Sequence, residues 1–185
     1  MSEDLIIKHC SPTLAGLKTG NLFSCRYTSK HDVAAAARCF NRQFSSKGVT
    51  IMPLKFGKSR VLVYVFRPTQ LQRDLSDGRA MDILLSMGYR SFDVKSCLST
   101  LIKRIQSCCE FPHEIGLFLG YPPEDVEGFI LHKGNCCKRC GCWKVYGNEE
   151  KAEAEFAKYK KCSDIYYSKW LSGTAMNKLV VKTAH

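Results

Sequence analysis

GVTIMPLKFGKSRVLVYVF, residues 48–66, predicts the central element of the fold. Residues 48–56 and 60–66 are rich in β-branched and aromatic side chains, and Gly57-Lys58-Ser59 forms a short turn between them. Two such runs on either side of a short glycine-containing segment favour a β-hairpin. We therefore expect an antiparallel pair of strands over this stretch.

Helical patterns lie on both sides of the hairpin. Apolar side chains recur at helical spacing over residues 32–44 and again over residues 93–108. Residues 70–89 predict two short helices that are broken in the middle by an Asp-Gly pair. The longest helix is expected over residues 148–171, with Gly173 placed to end it.

Further strands are predicted for four short apolar segments, residues 21–27, 115–121, 143–146 and 179–182. Because strands and helices interleave, the expected class is α/β or α+β. We expect a single domain over residues 1–185, with a mixed β-sheet whose central hairpin is flanked by helices. The alternative is an internal division near residue 110, between an N-terminal hairpin-and-helix part and a C-terminal strand-and-helix part.

The composition is that of a basic globular protein. The 185 residues contain 28 Lys and Arg against 17 Asp and Glu, which gives a formal net charge of +11. A hydrophobic content of 45% with 24% charged residues excludes a largely disordered chain. The 11 cysteines are the other unusual feature.

The start of the chain and its apolar runs predict a cytoplasmic protein. The first residues are acidic, whereas a secretory signal begins with basic residues and continues with a longer apolar stretch. The strongest apolar run, residues 61–66, is far shorter than the roughly 20 residues that cross a bilayer, so we expect no membrane partner. In a reducing cytoplasm the cysteines are expected as thiols or metal ligands, not as disulfides.

The densest group of cysteines is CCKRCGC, residues 136–142. Cys137 and Cys140 form a C-x-x-C pair, which overlaps the C-x-C pair of Cys140 and Cys142. This spacing lets sulfur atoms converge on one soft metal ion, and zinc or iron is the expected metal. The candidate ligands are Cys136, Cys137, Cys140 and Cys142, of which two or three can converge in this way. The sequence has no second pair of matching spacing, so a tetrahedral site would have to recruit a distant ligand, such as Cys108, Cys109, Cys162 or His132. The alternatives are thiol redox chemistry and a loop of incidental thiols.

A second candidate site involves Cys10. Ser11-Pro12 is typical of a helix start, with Ser11 as the cap and Pro12 in the first turn. Cys10 would then lie just before a helix N-terminus, where the dipole stabilises a thiolate. His113 is the candidate base and Glu114 its supporting carboxylate, as in a cysteine-nucleophile enzyme. The alternative is that Cys10 is a small buried apolar residue.

The C-terminal region suggests nucleic acid as a further possible partner. Residues 132–185 carry 11 Lys and Arg against five Asp and Glu, with aromatic residues between them. However, Phe156, Tyr159, Tyr166 and Trp170 fall on one helical stripe, which favours a face turned towards the core. Nucleic acid is therefore not the favoured partner.

Several longer motifs resemble one protein family. They are HCSPTLAGLK at residues 9–18, HEIGLFLGYP at 113–122, WKVY at 143–146 and YKKC at 159–162. Together they span nearly the whole chain and resemble the domain-of-unknown-function family 3793. The resemblance implies a small cytoplasmic protein of an anaerobic Gram-positive bacterium, with Cys10, His113 and Cys162 in the family pattern. It implies no activity and no cofactor.

Three functional hypotheses follow from these patterns. The first is thiol-dependent binding of a soft metal ion or a metallocofactor through the cysteine loop at residues 136–142. The second is a hydrolase or transferase that uses Cys10 as nucleophile and His113 as base. The third is a basic module associated with nucleic acid.

Overall fold

The computed structural model describes residues 2–107 and 110–182. It confirms the α+β class, since helices dominate and the strands form a small antiparallel sheet. The elements in chain order are α1 (Glu3–Leu14), β1 (Gly20–Arg26), α2 (Lys30–Phe44), β2 (Thr50–Phe56), β3 (Arg60–Phe66), α3 (Pro68–Leu75), α4 (Gly78–Ser86), α5 (Val94–Ser107), α6 (Ile115–Phe118), α7 (Pro123–His132), β4 (Arg139–Cys140), β5 (Lys144–Val145), α8 (Glu149–Leu171) and α9 (Met176–Leu179).

The chain forms two compact units. The first unit comprises Met1–Thr69 and Lys161–His185, and the second unit comprises Gln70–Lys160. The alternative division near residue 110 falls inside the second unit. Among the helices of the described residues, none has the length and apolar content needed to cross a membrane.

The sheet of the first unit contains the predicted hairpin. Strands β2 and β3 are antiparallel, as their short connection requires, and β1 joins the other side of β3 in the order β1-β3-β2. The pairing of β1 with β3 is also antiparallel, with Gly20 opposite Phe66 and Arg26 opposite Arg60. The sheet is therefore antiparallel and the expectation of a mixed sheet is wrong, because β3 lies between β1 and β2 and pairs antiparallel with both.

Helices α1 and α2 cover one face of this sheet. Alternate residues of β3, namely Val61, Val63 and Val65, are buried in the same core as Cys10 of α1 and Phe40 of α2. Burial of a large apolar side chain contributes about 1.5–3 kcal/mol, so this layer accounts for much of the stability of the unit. The apolar stripe predicted over residues 32–44 is confirmed as the core-facing side of α2.

A buried arginine ties the ends of the first unit together. The Arg67 guanidinium donates to the carbonyl oxygens of Thr13 at 2.6 Å, Leu14 at 2.7 Å, Lys47 at 3.2 Å and Val181 at 2.8 Å. Val181 belongs to the segment predicted as a terminal strand. That prediction is wrong, because the segment follows the short helix α9.

The second unit contains helices α3 to α7, the small β4–β5 hairpin and the first half of α8. The strand predicted over residues 115–121 is wrong, since this run forms the short helix α6 and a turn. Residues 115–119 of this run are all buried, and continuous burial removes the periodicity that separates a helix from a strand. Gly116 is required by packing, because a Cβ there would lie 2.7 Å from Val126 Cγ2 of α7.

Candidate functional site

A cavity of about 300 Å³ in the second unit contains two of the residues predicted from the sequence. His113 and Cys140 both line it. The remaining walls are largely apolar and aromatic, from Phe111, Ile115, Tyr121, Val126, Phe129 and Trp143. The cavity therefore places one cysteine and one histidine on a largely apolar and aromatic surface.

The wall formed by the β4–β5 hairpin is held in place by Asp125 of α7. One carboxylate oxygen accepts hydrogen bonds from the backbone N–H groups of Tyr146 and Gly147, each at 2.7 Å. The other oxygen accepts the indole N–H of Trp143 at 2.7 Å. Asp125 is only 3% exposed, so these charge-assisted bonds replace its hydration and fix the hairpin on the helix.

Aromatic rings continue this wall. The ring of Trp143 stacks on Tyr121, with 4.9 Å between the ring centroids, and meets Phe156 of α8 edge-on at 4.5 Å. A side chain at residue 141 would run into the Phe156 ring, which explains the glycine between Cys140 and Cys142. Sequence reasoning placed Phe156 on a core stripe correctly. The role of Asp125 in holding the hairpin on α7 was not predicted from the sequence.

The four loop cysteines do not form a closed metal centre. Cys136, Cys140 and Cys142 are exposed and Cys137 is half-buried. In the parts of the chain that the structure describes, no group of three or more His, Cys, Asp or Glu side chains is arranged to hold a metal ion. The assignment of Cys136, Cys137, Cys140 and Cys142 as metal ligands therefore stays a prediction. Cys140 differs from the other three because it lines the cavity.

Of the four distant side chains predicted as additional ligands, the structure describes two, Cys162 and His132. Cys108 and Cys109 lie outside the described residues. Cys162 is buried in α8, and the His132 ring stacks on Tyr146 with 5.6 Å between the centroids.

The basic residues of the loop make their own contacts. Lys138 donates to the carbonyl oxygen of Gly147 at 2.9 Å, and Lys144 donates to that of Gly134 at 2.5 Å. Arg139 pairs with Glu153 of α8 at 2.5 Å. These side chains tie the hairpin to its surroundings, and of the three only Lys144 lines the cavity.

His113 and Glu114 are adjacent in sequence but occupy different environments. His113 is exposed, and its ring lies 4.9 Å from that of Phe129. Glu114 is 1% exposed, pairs with Arg104 Nε at 2.5 Å and accepts a hydrogen bond from the Tyr89 hydroxyl at 3.1 Å. Burial and the Glu114 charge raise the pKa of Tyr89 above its usual range. The Glu114 carboxylate therefore contacts Arg104 and Tyr89 and not His113 of the predicted catalytic set.

Cys10 lies within a continuous helix of the first unit. The expectation that a helix begins at Ser11 is wrong, because α1 runs from Glu3 through Pro12 to Leu14. The Ser11 hydroxyl donates to the Ile7 carbonyl oxygen at 2.5 Å inside this helix. Burial raises the pKa of the Cys10 thiol far above its usual range, which opposes thiolate formation. The catalytic assignment of Cys10, His113 and Glu114 stays a prediction.

The aromatic residues of α8 pack into the interior of the two units. Tyr159 is buried in a cluster with Trp143 and Ala152, and Phe156 packs against the same cluster. Tyr166 and Trp170 pack against the core of the first unit. These contacts agree with the core-facing interpretation of the stripe.

Comparison with known families adds one finding. The profile of the family described as "Protein of unknown function (DUF3793)" matches residues 6–180. The chain belongs to this family. The DUF3793 match covers nearly the whole of both units and all residues of the cavity. Searches of curated proteins and of solved structures found no match. Since the DUF3793 description assigns no activity, function has to be argued from the site.

Proposed function

We propose that the second unit binds a small, mainly apolar ligand and that the Cys140 thiol takes part in binding it. The observation that carries this proposal is the position of Cys140 and His113 on one aromatic cavity. Small-molecule sites are typically concave and apolar, with a few polar groups that orient the ligand. The volume of about 300 Å³ lies at the lower end of the range for such sites, roughly 300–1,000 Å³.

The polar groups of the cavity have different roles in this proposal. The Asp125 carboxylate accepts hydrogen bonds from Trp143, Tyr146 and Gly147. In this proposal it therefore supports the wall and does not contact the ligand. Cys140 and His113 are exposed and supply the groups that recognise the ligand. A thiol beside aromatic rings suits a ligand with a soft or electrophilic centre on an apolar body.

A soft metal ion, or the metal of a metallocofactor, is the second candidate ligand. Cys140 and His113 are both residue types that bind zinc or iron. Two protein ligands leave coordination positions open towards the cavity, where a bound molecule would complete them. In this second proposal the metal ligands are Cys140 and His113, and not the four cysteines of the loop.

Thiol labelling tests the proposal, because the chain contains its own controls. Monobromobimane is a small apolar reagent and iodoacetamide a small polar one. We expect the apolar reagent to favour Cys140 over the exposed Cys136, Cys142 and Cys39 by about tenfold, relative to iodoacetamide. Burial of roughly 60 Å² of reagent surface supplies such a preference. Rates at each cysteine are read by peptide mass spectrometry.

A cavity variant sharpens this measurement. Phe129→Ala removes one aromatic wall and should abolish the preference at Cys140 without changing its iodoacetamide rate. Circular dichroism verifies that the variant is folded. Equal preference at Cys140 and Cys136 in the wild-type protein would refute the proposal.

Cobalt(II), a spectroscopic probe for zinc sites, tests the metal candidate. A thiolate-to-cobalt absorption band should appear with the wild-type protein and be lost in Cys140→Ser and His113→Asn. Cys142→Ser and His132→Asn change the same residue types outside the cavity and should retain it. A band that survives Cys140→Ser would show that another thiol binds the metal and would remove this candidate.

A further inference from the structure

The first unit carries all of the net positive charge of the chain. It contains 15 Lys and Arg against four Asp and Glu, whereas the second unit contains 13 of each. Together these are the 28 basic and 17 acidic residues of the whole sequence. Such an excess in one compact unit creates a positive potential that attracts polyanions.

We infer that the first unit binds nucleic acid through its phosphate backbone. The exposed side chains concerned, together called the basic surface below, form two separate groups: Arg26, Lys30, Lys58 and Arg60 at the turn end of the β2–β3 hairpin, and Arg38 and Arg42 on α2. It is distinct from the aromatic stripe of α8, whose residues pack against the cores of the two units.

The hairpin end concentrates positive charge on a rigid frame. Arg26 and Arg60 lie directly opposite each other in the β1–β3 register, an arrangement that costs stability in the absence of an anion. Arg60 is held by hydrogen bonds from Nε to Ser24 Oγ at 2.9 Å and from Nη2 to the Ser24 carbonyl oxygen at 2.6 Å. The Lys30 ammonium lies 5.6 Å from the centre of the Phe56 ring, which places the start of α2 beside the hairpin end.

The second group lies along α2. Arg38 and Arg42 are one helical turn apart and line an open recess together with Asn41 and Ser45. The Asn41 amide is fixed by two hydrogen bonds to the backbone of Ile51, at 2.8 and 3.0 Å. In the described residues, neither guanidinium has an acidic partner. Guanidinium groups bind phosphate oxygens in a bidentate manner, so the recess fits a phosphate group.

Acidic residues hardly offset this charge. The four acids of the unit are Glu3, Asp4, Asp32 and Asp164. Asp32 is the one on α2, and it lies 3.6 Å from His31. Glu3 and Asp4 belong to the first turn of α1.

Nucleic acid fits the basic surface better than an anionic membrane does. Helices that lie on membranes insert an apolar face between the lipids. The apolar face of α2, with Val33, Ala37, Phe40 and Phe44, is buried against the sheet and cannot insert. Four of the six side chains are arginines, which favours contacts with phosphates on a folded polyanion.

Fluorescence anisotropy with labelled 20-nucleotide single-stranded RNA, single-stranded DNA and duplex DNA tests the inference. The triple variant Arg38→Gln, Arg42→Gln, Lys58→Gln removes three charges from the basic surface. The control Arg90→Gln, Lys95→Gln, Lys103→Gln removes three exposed charges from the second unit. Circular dichroism and thermal melting show whether each variant is folded.

For the best-bound oligonucleotide we expect the triple variant to bind at least about tenfold more weakly at near-physiological salt. The slope of log affinity against log salt should fall by about 0.7–0.9 per lost phosphate contact. The control should change affinity less than about twofold, and Arg38→Lys with Arg42→Lys should keep the slope. Equal losses in both triple variants, no binding of wild-type protein at that salt, or binding only to phosphatidylserine vesicles would overturn the inference.

Discussion

The indole N–H of Trp143 donates to the Asp125 carboxylate at 2.7 Å, and this bond joins the β4–β5 hairpin to helix α7. The other oxygen of the same carboxylate receives two backbone N–H groups, so three donors converge on one buried anion. The cavity wall therefore depends on the charge state and the acceptor geometry of a single side chain.

Replacing Asp125 by Asn should loosen this wall. An asparagine oxygen can still accept the two backbone N–H groups, but its NH₂ group then faces the indole N–H of Trp143, and two donors oppose each other. We expect a loss of about 1–3 kcal/mol in the free energy of unfolding, measured by urea denaturation. In a Trp170→Phe background, Trp143 is the remaining tryptophan, and its emission should shift to the red as water reaches the indole.

Glu127→Gln is the matched control for this change. Glu127 lies two residues further along α7 and pairs with Arg79 at the surface, where ion pairs contribute about 0–1 kcal/mol. The control should change stability by less than about 1 kcal/mol and leave the Trp143 emission unaltered. If Asp125→Asn behaved like this control, Asp125 would not be what holds the wall.

Gly141 tests the packing of the same wall from the side of α8. In Gly141→Ala the new methyl group meets the Phe156 ring, which must move together with the hairpin. We expect a loss of about 1–3 kcal/mol, typical of overpacking. Gly78→Ala at the start of α4 meets no atom within 4 Å and should be neutral or gain up to about 1 kcal/mol, since alanine favours a helix. If the denaturation midpoints of Gly141→Ala and Gly78→Ala shifted equally, the predicted clash with Phe156 would be wrong.

The sequence predicted the elements whose pattern is periodic and missed those set by tertiary contacts. The hairpin, helix α2 and the paired helices α3 and α4 follow from alternation, helical spacing and turn residues. The segment at residues 115–121 was assigned to a strand because it is uniformly apolar. Its glycines serve a turn and a close contact with Val126, which depend on how α7 packs.

For the candidate site, the sequence indicated two of the residues but not the cavity that they share. The cysteine spacing drew attention to Cys140, and the residue type drew attention to His113. Their placement on one cavity depends on the Asp125 anchor and the α6 turn, both set by long-range packing. The helix start expected at Ser11 was wrong, since Pro12 is accommodated inside α1 instead of beginning a helix.

The buried Arg67 should be sensitive even to a conservative change. Its planar guanidinium reaches four carbonyl oxygens from three segments of the first unit. A lysine keeps the charge but concentrates its donors at one atom, so some carbonyl groups lose their partner. We expect Arg67→Lys to lower the free energy of unfolding by about 2–4 kcal/mol, whereas Arg26→Lys on the exposed edge of the sheet should cost less than about 0.5 kcal/mol. Similar urea midpoints for the two variants would show that the carbonyl cluster contributes little.

Burial of Cys10 predicts a loss of stability at alkaline pH. Because the folded state raises the pKa of this thiol, the unfolded state releases the proton first as the pH rises. The contribution of Cys10 to the free energy of unfolding is fully present below the pKa of the unfolded thiol, about 8.5, and declines above it by about 1.4 kcal/mol per pH unit.

Burial also raises the pKa of Cys97 to about 11, so more than one group contributes to the pH dependence of stability in the wild-type protein. Between about pH 8.5 and 10, Cys10→Ala should reduce the slope of the free energy of unfolding against pH by the amount that corresponds to one proton. The exposed Cys39→Ala should leave it unchanged. An unaltered slope in Cys10→Ala, measured by urea denaturation across this range, would show that Cys10 is accessible to water in the folded protein.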